Sequence, residues 1–455
     1  MGSVLVALPA SAWLWGFTVD DALITARVAV QISRGLGARF NAHGPVVDAV
    51  TPLGFARLLA LLGQGSVLGT FEAAKVLGLG AWLLAAAVLG WLIAGSGRRW
   101  SRFSPLLVVG VSAPLAAWAV SGMETGLVTL LGTLGLCRGA GGALALGLAA
   151  ALRPELAPFA LLLVAGRERV AGASFSRGVG RCALTALPIV VVALARRASF
   201  GSFVPLSFYA KPSDFEHGFR YALGAFAFTG LPWLLLATPR ELCRTSGEAR
   251  PILLALAAHG FALVLCGGDW MPLYRLVVPV LPGAALAAAH IAEQARPAAG
   301  WTRLGLGLAT SLLLAFGLGA PARRVGAARG ALIAQARPVL AHDARVASLD
   351  VGWVGASTNA DVVDFAGVTD PEVAFFPGGH TSKRIPKAWL FARQPTAIVL
   401  LLARGARLEP SFADSSFSRA VEQRVASLVA TDFRVRCTLS LGDQTYVVLE
   451  PTLSP

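Results

Sequence analysis

The feature that most limits the fold of this chain is a series of apolar runs between residues 2 and 320, each close to the length of a membrane-spanning helix. A helix needs about 20 apolar residues to cross a bilayer, so the runs predict about eleven transmembrane helices. They lie at roughly 2–17, 72–94, 104–120, 124–137, 142–152, 154–166, 182–195, 219–238, 251–267, 273–292 and 302–320. The two short central runs have three interpretations: tilted helices, helices separated at Pro154, or one bent helix.

The composition favours a polytopic membrane protein over a soluble one. Hydrophobic residues make up 55% of the 455 residues, charged residues make up 14%, and the mean hydropathy is +0.66. A soluble protein carries about 25% charged residues. The net charge of +14 does not indicate nucleic-acid binding, because the basic residues fall in short clusters between the apolar runs. Membrane proteins carry such clusters in their cytoplasmic loops.

The arginine clusters also predict the orientation of the helices. With the N-terminus inside, the inner loops contain Arg138, Arg167, Arg240 and Arg296, while the acidic motifs fall in the outer loops. Residues 1–17 are short for a span. We interpret them as a first transmembrane helix rather than a cleaved signal peptide, because no basic segment precedes the apolar one.

The last 130 or so residues change character, because short β-like runs alternate there with charged and turn residues. Strands are predicted at 345–349, 397–401 and 445–449, and helices near 327–341 and 414–431. We therefore predict a mostly α polytopic transmembrane domain (1–320) followed by a soluble α/β domain on the outer face (321–455). The first outer loop of the transmembrane domain (18–70) would carry amphipathic helices.

Two adjacent carboxylates, Asp20 and Asp21, follow the first apolar run. Ionisable side chains beside a membrane segment are functional candidates, because holding them there costs free energy. One carboxylate of such a pair can remove a proton from a hydroxyl group, and the other can orient a substrate or hold a divalent cation. The structural alternative is an N-cap for the helix that starts at Ala22. We predict that both residues are catalytic and leave open which one is the base.

Two charged motifs occur inside or beside apolar helices. Glu124, in SGMET, begins an apolar helix and has two interpretations: stabilisation by the helix dipole, or contact with substrate. Arg153, followed by Pro154 and Glu155, interrupts an apolar stretch and must pair with an acid or with an anionic substrate group. We predict Glu124 and Arg153 as candidate substrate-binding residues, although for Arg153 the sequence favours a structural ion pair over contact with an anionic substrate group.

Two outer motifs combine aromatic and charged residues. In LSFYAK, Tyr209 and Lys211 are either interface anchors or partners of an anionic phosphate group. In CGGDWMPLYR, Asp269, Trp270 and Arg275 offer an acid, a ring that can stack on a sugar, and a fork that binds two phosphate oxygens. The alternative for this second motif is a turn with an aromatic anchor. We predict all five residues as substrate-binding.

The order of the segments TVDDALITARVAVQISRGLGARFN, SGMET, RPE, LSFYAK and GGDWMPLYRLVVPVLP resembles the GT-C superfamily of integral-membrane glycosyltransferases. Within it, the chain looks most like the terminal β-(1→2)-arabinofuranosyltransferase family. The segment ASLDVGWVGASTNADVVDFAGVTDPEVA resembles the outer domain of those proteins. The resemblance implies a GT-C-like helical bundle in a bacterial inner membrane, with the active site at the outer boundary between membrane and water. It also implies inverting transfer from a polyprenyl-phosphate-linked sugar, with the base at the position of Asp20 and Asp21.

These expectations predict the binding partners of the protein and exclude nucleic acid. The donor is a polyprenyl-phosphate sugar, the acceptor is a glycan of the cell envelope, and membrane lipid surrounds the helices. The sequence names no definite cofactor, and a divalent cation at the acid pair stays open. The alternative function is a polytopic transporter or flippase for lipid-linked or envelope sugars, and a carbohydrate-binding protein without catalysis is a third option. Transporters usually carry repeated halves, which this sequence lacks.

Overall fold

The computed structural model describes residues 2–63, 65–95, 100–245, 247–442 and 444–452. The chain is 64% helical with a small sheet, so the prediction of a mostly α protein is confirmed. It forms two compact units. The helical unit comprises Met1–Thr18, Ala74–Ala195 and Ser213–Arg324, and the sheet unit comprises Val19–Ala73, Arg196–Pro212 and Val325–Pro455.

The helical unit is built from apolar helices whose small residues allow close packing. Its α-helices are Gly2–Trp13, Ser104–Gly110, Ala113–Ala119, Thr125–Leu134, Ala140–Leu152, Ala157–Val170, Phe215–Phe228, Leu231–Leu234, Pro239–Arg244, Ala249–Leu265, Leu281–Ala292, Pro297–Leu314 and Ala320–Ala322, with most of Val67–Gly95 and Phe175–Phe200. Short 3₁₀ segments lie at Trp100–Phe103, Pro154–Leu156 and Arg275–Val280, and a π segment lies at Ala315–Gly319.

Among the described residues, four helices are long and apolar enough to cross a membrane: Val67–Gly95, Phe175–Phe200, Arg275–Ala292 and Pro297–Val339. A fifth is added if Ser101–Gly110 and Ala113–Ala119, bent by 54°, count as one span. Four shorter apolar helices have 10–17 residues. The count of about eleven spans stays a prediction, because hydropathy alone does not show where an apolar run breaks.

Two such breaks have clear local causes. The two short central runs, 142–152 and 154–166, are separated by the 3₁₀ turn Pro154–Leu156, since proline lacks the N–H that an α-helix uses there. The run from 219 to 238 is interrupted at Gly230, whose φ is 80° and whose added Cβ would lie 2.0 Å from the Ser311 hydroxyl oxygen. Only glycine fits both this backbone conformation and this close approach.

The sheet unit contains one five-stranded sheet among its described residues, with strands β1 (Arg345–Ser348), β2 (Asp361–Asp364), β3 (Ala397–Leu401), β4 (Phe433–Leu441) and β5 (Gln444–Pro451). The strand order is β2-β1-β3-β5-β4; β1, β2 and β3 are parallel, and β5 is antiparallel to β3 and β4. Its α-helices are Asp20–Ser33, Leu53–Leu61, Leu206–Ala210, Val325–Val339, Val351–Ser357, Pro371–Ala374, Lys387–Ala392 and Ala420–Val429, with a 3₁₀ turn at Phe412–Asp414. The three predicted strands and both predicted helices are confirmed.

Residues 19–73 lie in the sheet unit, whereas the predicted division at residue 320 placed the segment 18–70 with the membrane helices. Polar side chains explain this packing. The Asn41 side chain donates to the Val362 carbonyl at 2.9 Å and accepts from the Val362 N–H at 2.8 Å. It thereby covers the exposed edge of β2, as an additional strand would.

Candidate active site

The helix Asp20–Ser33, called the first-loop helix below, begins at the carboxylate pair. Its N-cap is Val19, so Asp20 and Asp21 lie in the first turn and not at the cap position. Both carboxylates are favoured there by the helix dipole, which places partial positive charge at the N-terminus. The N-cap interpretation is therefore wrong for both residues, because the helix starts two residues earlier than Ala22.

Asp20 is held by the start of a second helix, Val351–Ser357. Its two carboxylate oxygens accept hydrogen bonds from the backbone N–H groups of Gly352 at 2.7 Å and Trp353 at 2.8 Å. A Cβ on Gly352 would lie 2.2 Å from the Asp20 backbone oxygen, so the approach requires glycine. The Arg329 guanidinium lies 3.9 Å from the same carboxylate. Burial raises the pKa of Asp20 to about 6 despite the lowering effects of Arg329 and the Gly352 N–H.

Arg27 lies two turns after Asp20 on the first-loop helix and binds the other end of Val351–Ser357. It donates to the carbonyls of Gly355 and of Thr358, the latter at 3.0 Å, and also to the carbonyls of Phe40 at 2.9 Å and Ala360 at 2.8 Å. Burial lowers the pKa of Arg27 to about 10, which keeps it cationic at neutral pH. An anion thus meets the N-terminus and a cation the C-terminus of this helix, which matches its dipole.

Asp21 has a more open environment than its neighbour. Its side chain is 32% exposed, compared with 20% for Asp20. One of its carboxylate oxygens lies 3.7 Å from the Lys211 ammonium nitrogen, and Lys211 is itself 30% exposed. Two of the residues predicted from sequence therefore meet in the structure, and this contact joins the first-loop helix to the end of Leu206–Ala210.

Tyr209 lies two residues before Lys211. Its ring packs against that of Phe375, with 4.9 Å between the centroids, and its hydroxyl lies 3.2 Å from the Ser202 hydroxyl. The predicted residues of the sheet unit are thus Asp20, Asp21, Tyr209 and Lys211, all on the first-loop helix or the segment 207–211.

The donor set of the acid pair does not fit a divalent cation. Both oxygens of Asp20 already accept backbone N–H groups, and Asp21 faces the ammonium of Lys211. A calcium or magnesium site needs several oxygen ligands that are free to turn towards the ion. Throughout the described part of the chain, no group of three or more His, Cys, Asp or Glu side chains could hold a metal ion.

The remaining predicted residues lie in the helical unit, where acids and arginines form close pairs. Glu124 is fully buried, and one of its oxygens lies 2.9 Å from the Arg153 guanidinium; Glu155 lies 3.6 Å from the same guanidinium. His259 binds nearby backbone, with ring nitrogens 3.2 Å from the Glu155 carbonyl and 2.9 Å from the Leu276 carbonyl. The geometry of Arg153 is that of a buried ion pair with two acids.

The glycine-rich motif at 266–275 forms a second close pair. The Asp269 carboxylate lies 2.8 Å from the Arg275 guanidinium, and both side chains are almost completely buried. The guanidinium also lies over the ring of Trp118, 5.5 Å from its centroid. Leu273 and Tyr274 have positive φ values of 59° and 50°, which is costly for residues with a side chain. The backbone before Arg275 is therefore held in a strained conformation.

Trp270 differs from its neighbours because its ring is 64% exposed. It stacks on the His217 ring, with 3.9 Å between centroids and 14° between planes. One side of the indole is therefore covered by His217.

Two charged groups of potential importance were missed by sequence reasoning. Lys75 is buried in Val67–Gly95, with its ammonium 4.5 Å from the centroid of the Trp15 ring. A lysine inside the apolar run 72–94, three residues after Glu72, was a visible signal. Asp350 accepts from Arg419 at 2.6 Å and from the Tyr446 hydroxyl at 2.8 Å. No sequence signal pointed to it, because these partners are 69 and 96 residues away.

Comparisons of this chain with models of known protein families, with curated proteins and with solved structures give no match. The resemblance to the GT-C superfamily therefore stays a prediction from the sequence segments quoted above. The geometry around Asp20 and Asp21 is the physical basis on which a function can be proposed.

Proposed function

We propose that this protein is a multi-pass glycosyltransferase of a bacterial inner membrane. It moves a sugar, arabinofuranose by resemblance, from a polyprenyl-phosphate donor to a glycan acceptor of the cell envelope, with inversion at the anomeric carbon. In this proposal about eleven helices span the membrane and the C-terminal α/β domain is extracytoplasmic. The observation that carries the proposal is the unequal environment of two adjacent carboxylates, one held by backbone and one open beside a lysine.

Asp21 is the proposed general base. A base must reach the hydroxyl that it deprotonates, and Asp21 is the more exposed member of the pair. During transfer, the acceptor oxygen forms a bond to the anomeric carbon while the bond from that carbon to the phosphate oxygen breaks. The proton of the acceptor hydroxyl passes to Asp21, and the bonding electron pair leaves with the polyprenyl phosphate.

Lys211 is the proposed partner of the departing phosphate. Its ammonium lies 3.7 Å from Asp21, and a phosphate oxygen bound to it can stand up to about 6.5 Å from the Asp21 carboxylate. Inverting glycosidases separate their base from their acid by roughly 6.5–9.5 Å, so the spacing suits a displacement with the base and the leaving group on opposite sides.

Asp20 is the proposed positioning residue. Its contacts with Gly352 and Trp353 fix the first turn of the first-loop helix and therefore the backbone of Asp21. Small displacements of a catalytic group cost large factors in rate. Glu124, Arg153, Asp269, Trp270 and Arg275 keep their predicted substrate-binding roles as hypotheses for the helical unit.

The proposal is tested with purified protein in proteoliposomes, given radiolabelled polyprenyl-phosphate arabinofuranose and an arabinan acceptor. Wild-type protein should extend the acceptor with inverted configuration, and Asp21→Asn should lose about 10²–10⁴-fold in rate. Asp432→Asn is the matched control, because Asp432 also pairs with a partly exposed lysine in the sheet unit, at 3.3 Å. Wild-type transfer by Asp21→Asn would show that the base is misassigned.

The second candidate is a transporter or flippase for the same class of lipid-linked sugar. The observation that favours it is the burial of Lys75 and of the Glu124–Arg153 pair in the helical unit, since charges inside a membrane often line a substrate path. The same proteoliposomes distinguish the two functions. Movement of the donor across the bilayer without extension of the acceptor would favour transport.

A further inference from the structure

Four aromatic side chains of the sheet unit, Phe203, Phe208, Tyr209 and Phe375, are exposed, and we call them the aromatic shelf. Phe208 is 63% exposed and Phe375 is 68% exposed. The ring centroids of Phe208 and Tyr209 lie 5.7 Å apart, and those of Tyr209 and Phe375 lie 4.9 Å apart. Two segments that are distant in sequence therefore meet through their rings.

The outward direction of these rings is not explained by core packing. Phe376, next in the chain after Phe375, packs against the core of the sheet unit and against Trp389, with 5.5 Å between centroids. In Leu206–Ala210 the terminal residues are buried, whereas Phe208 and Tyr209 between them face outwards. A helix on a water-facing surface normally has the opposite arrangement, with its polar residues outside.

Chain continuity places the shelf near one end of a candidate membrane span. Phe175–Phe200 is apolar and long enough to cross a bilayer, and Phe203 follows its end by three residues. Three residues reach at most about 10 Å. Arg197, in the last turn of that helix, lies over the Phe203 ring at 6.0 Å from its centroid. A cation at the end of a span commonly extends towards the headgroups.

We propose that the aromatic shelf rests in the headgroup region of the membrane, so that the segment 371–376 of the C-terminal domain binds the lipid surface directly. Lipid is favoured over a glycan because three of the four rings are phenylalanines, which lack the polar atom that sugar-binding rings use beside their stacking face. Arg197 lies over the Phe203 ring of the shelf and complements anionic headgroups. The inference does not depend on glycosyl transfer.

The test is depth-dependent quenching in vesicles of phosphatidylethanolamine and phosphatidylglycerol that contain a lipid spin-labelled near its headgroup. Phe375→Cys, in full-length protein whose five native cysteines are replaced by serine, is labelled with an environment-sensitive dye. The matched control is Ser440→Cys, which is exposed on β4, at the opposite sheet edge from β2. Quenching of the label at 375 should be several-fold stronger than at 440, because an interfacial ring lies about 5–10 Å deep.

Equal quenching at the two positions would overturn the proposal. A blue-shifted but unquenched label at 375 would also overturn it, since this would mean burial against protein. If the cysteine-free background does not fold, a photoreactive benzoylphenylalanine at position 375 in the otherwise native chain gives the second measurement. Crosslinks to phospholipid support the proposal, whereas crosslinks only to a second copy or to added glycan contradict it.

Discussion

The predicted site residues of the two compact units are paired in different ways. In the helical unit, Arg153 and Arg275 lie 2.9 Å and 2.8 Å from buried carboxylates. In the sheet unit, Asp21 and Lys211 are 3.7 Å apart, and each side chain keeps about a third of its surface exposed. An unpaired charge in apolar surroundings is costly, so the first kind of pair must be close. The loose pair is the one that a substrate can reach, which is why we place the chemistry there.

The largest effect on stability is expected from a substitution that breaks a close ion pair. Arg153→Met would leave Glu124 and Glu155 buried without their cation, and we expect a loss of about 3–5 kcal/mol in unfolding free energy. The measurement is denaturant unfolding in detergent micelles. The control Arg220→Met removes an exposed pair with Glu216 and should cost no more than about 1 kcal/mol. Equal losses would mean that burial does not distinguish the pairs.

The second prediction concerns pH and Asp20. Its folded pKa is about 6, above the ordinary aspartate value of 3.8, so the folded state binds more protons than the unfolded state between these values. The stability of the wild type relative to Asp20→Asn should therefore fall as pH rises from about 4 to 6, by up to roughly 2–3 kcal/mol. Unfolding is measured at several pH values for both proteins.

The pH dependence of stability should have the opposite sign for Asp432, because hydrogen bonds from Thr431 and Lys387 lower its pKa. The stability of the wild type relative to Asp432→Asn should rise with pH through the acid range. Parallel profiles for the two variants would contradict the environment described for Asp20.

The third prediction tests the close contact between Gly352 and Asp20. In Gly352→Ala, the new Cβ collides with Asp20, and overpacking of this kind costs about 1–3 kcal/mol. Thermal unfolding of the full-length protein measures the loss. Gly330→Ala is the control, since nothing lies within 4 Å of its added Cβ and alanine favours the helix Val325–Val339 that contains it. A loss of stability in Gly330→Ala, with no loss in Gly352→Ala, would contradict this contact.

The smallest expected effect tests the role of the Asp21–Lys211 pair in the transfer reaction. Lys211→Gln removes the charge that meets the phosphate, and kcat/KM for the donor should fall about tenfold, or about 1.4 kcal/mol, in the transfer assay. Lys387→Gln, from the other exposed lysine–aspartate pair, should leave the rate unchanged. A fall of the same size in both variants would mean that general charge, and not position, sets the rate.

Sequence alone predicted the parts of the fold that local pattern determines. The apolar run Ala397–Leu401 became the fully buried central strand β3. Strand β2 was missed because its four residues, DVVD, begin and end with aspartate. Strand β4 alternates apolar residues with Arg434 and Arg436, a signal that could have found it, although a register shift at Val435 interrupts its pairing.

The sequence was sufficient to predict which residues belong to the site. It was not sufficient to predict which of them lie in contact. The acid pair stood out because carboxylates after an apolar run are unusual, and Lys211 stood out as a cation among aromatics. The hydrogen bond from the Gly352 N–H to the Asp20 carboxylate joins residues 332 positions apart, and no periodicity in one sequence reveals such a contact.

The most direct test measures stability and transfer on the same preparations of Asp20→Asn and Asp21→Asn. The account predicts that Asp21→Asn keeps its unfolding free energy within about 0.5 kcal/mol of wild type and loses about 10²–10⁴-fold in transfer. Asp20→Asn should show the measurable change in unfolding. If Asp21→Asn transfers sugar at the wild-type rate while Asp20→Asn is fully stable and inactive, the assignment of the two carboxylates is contradicted.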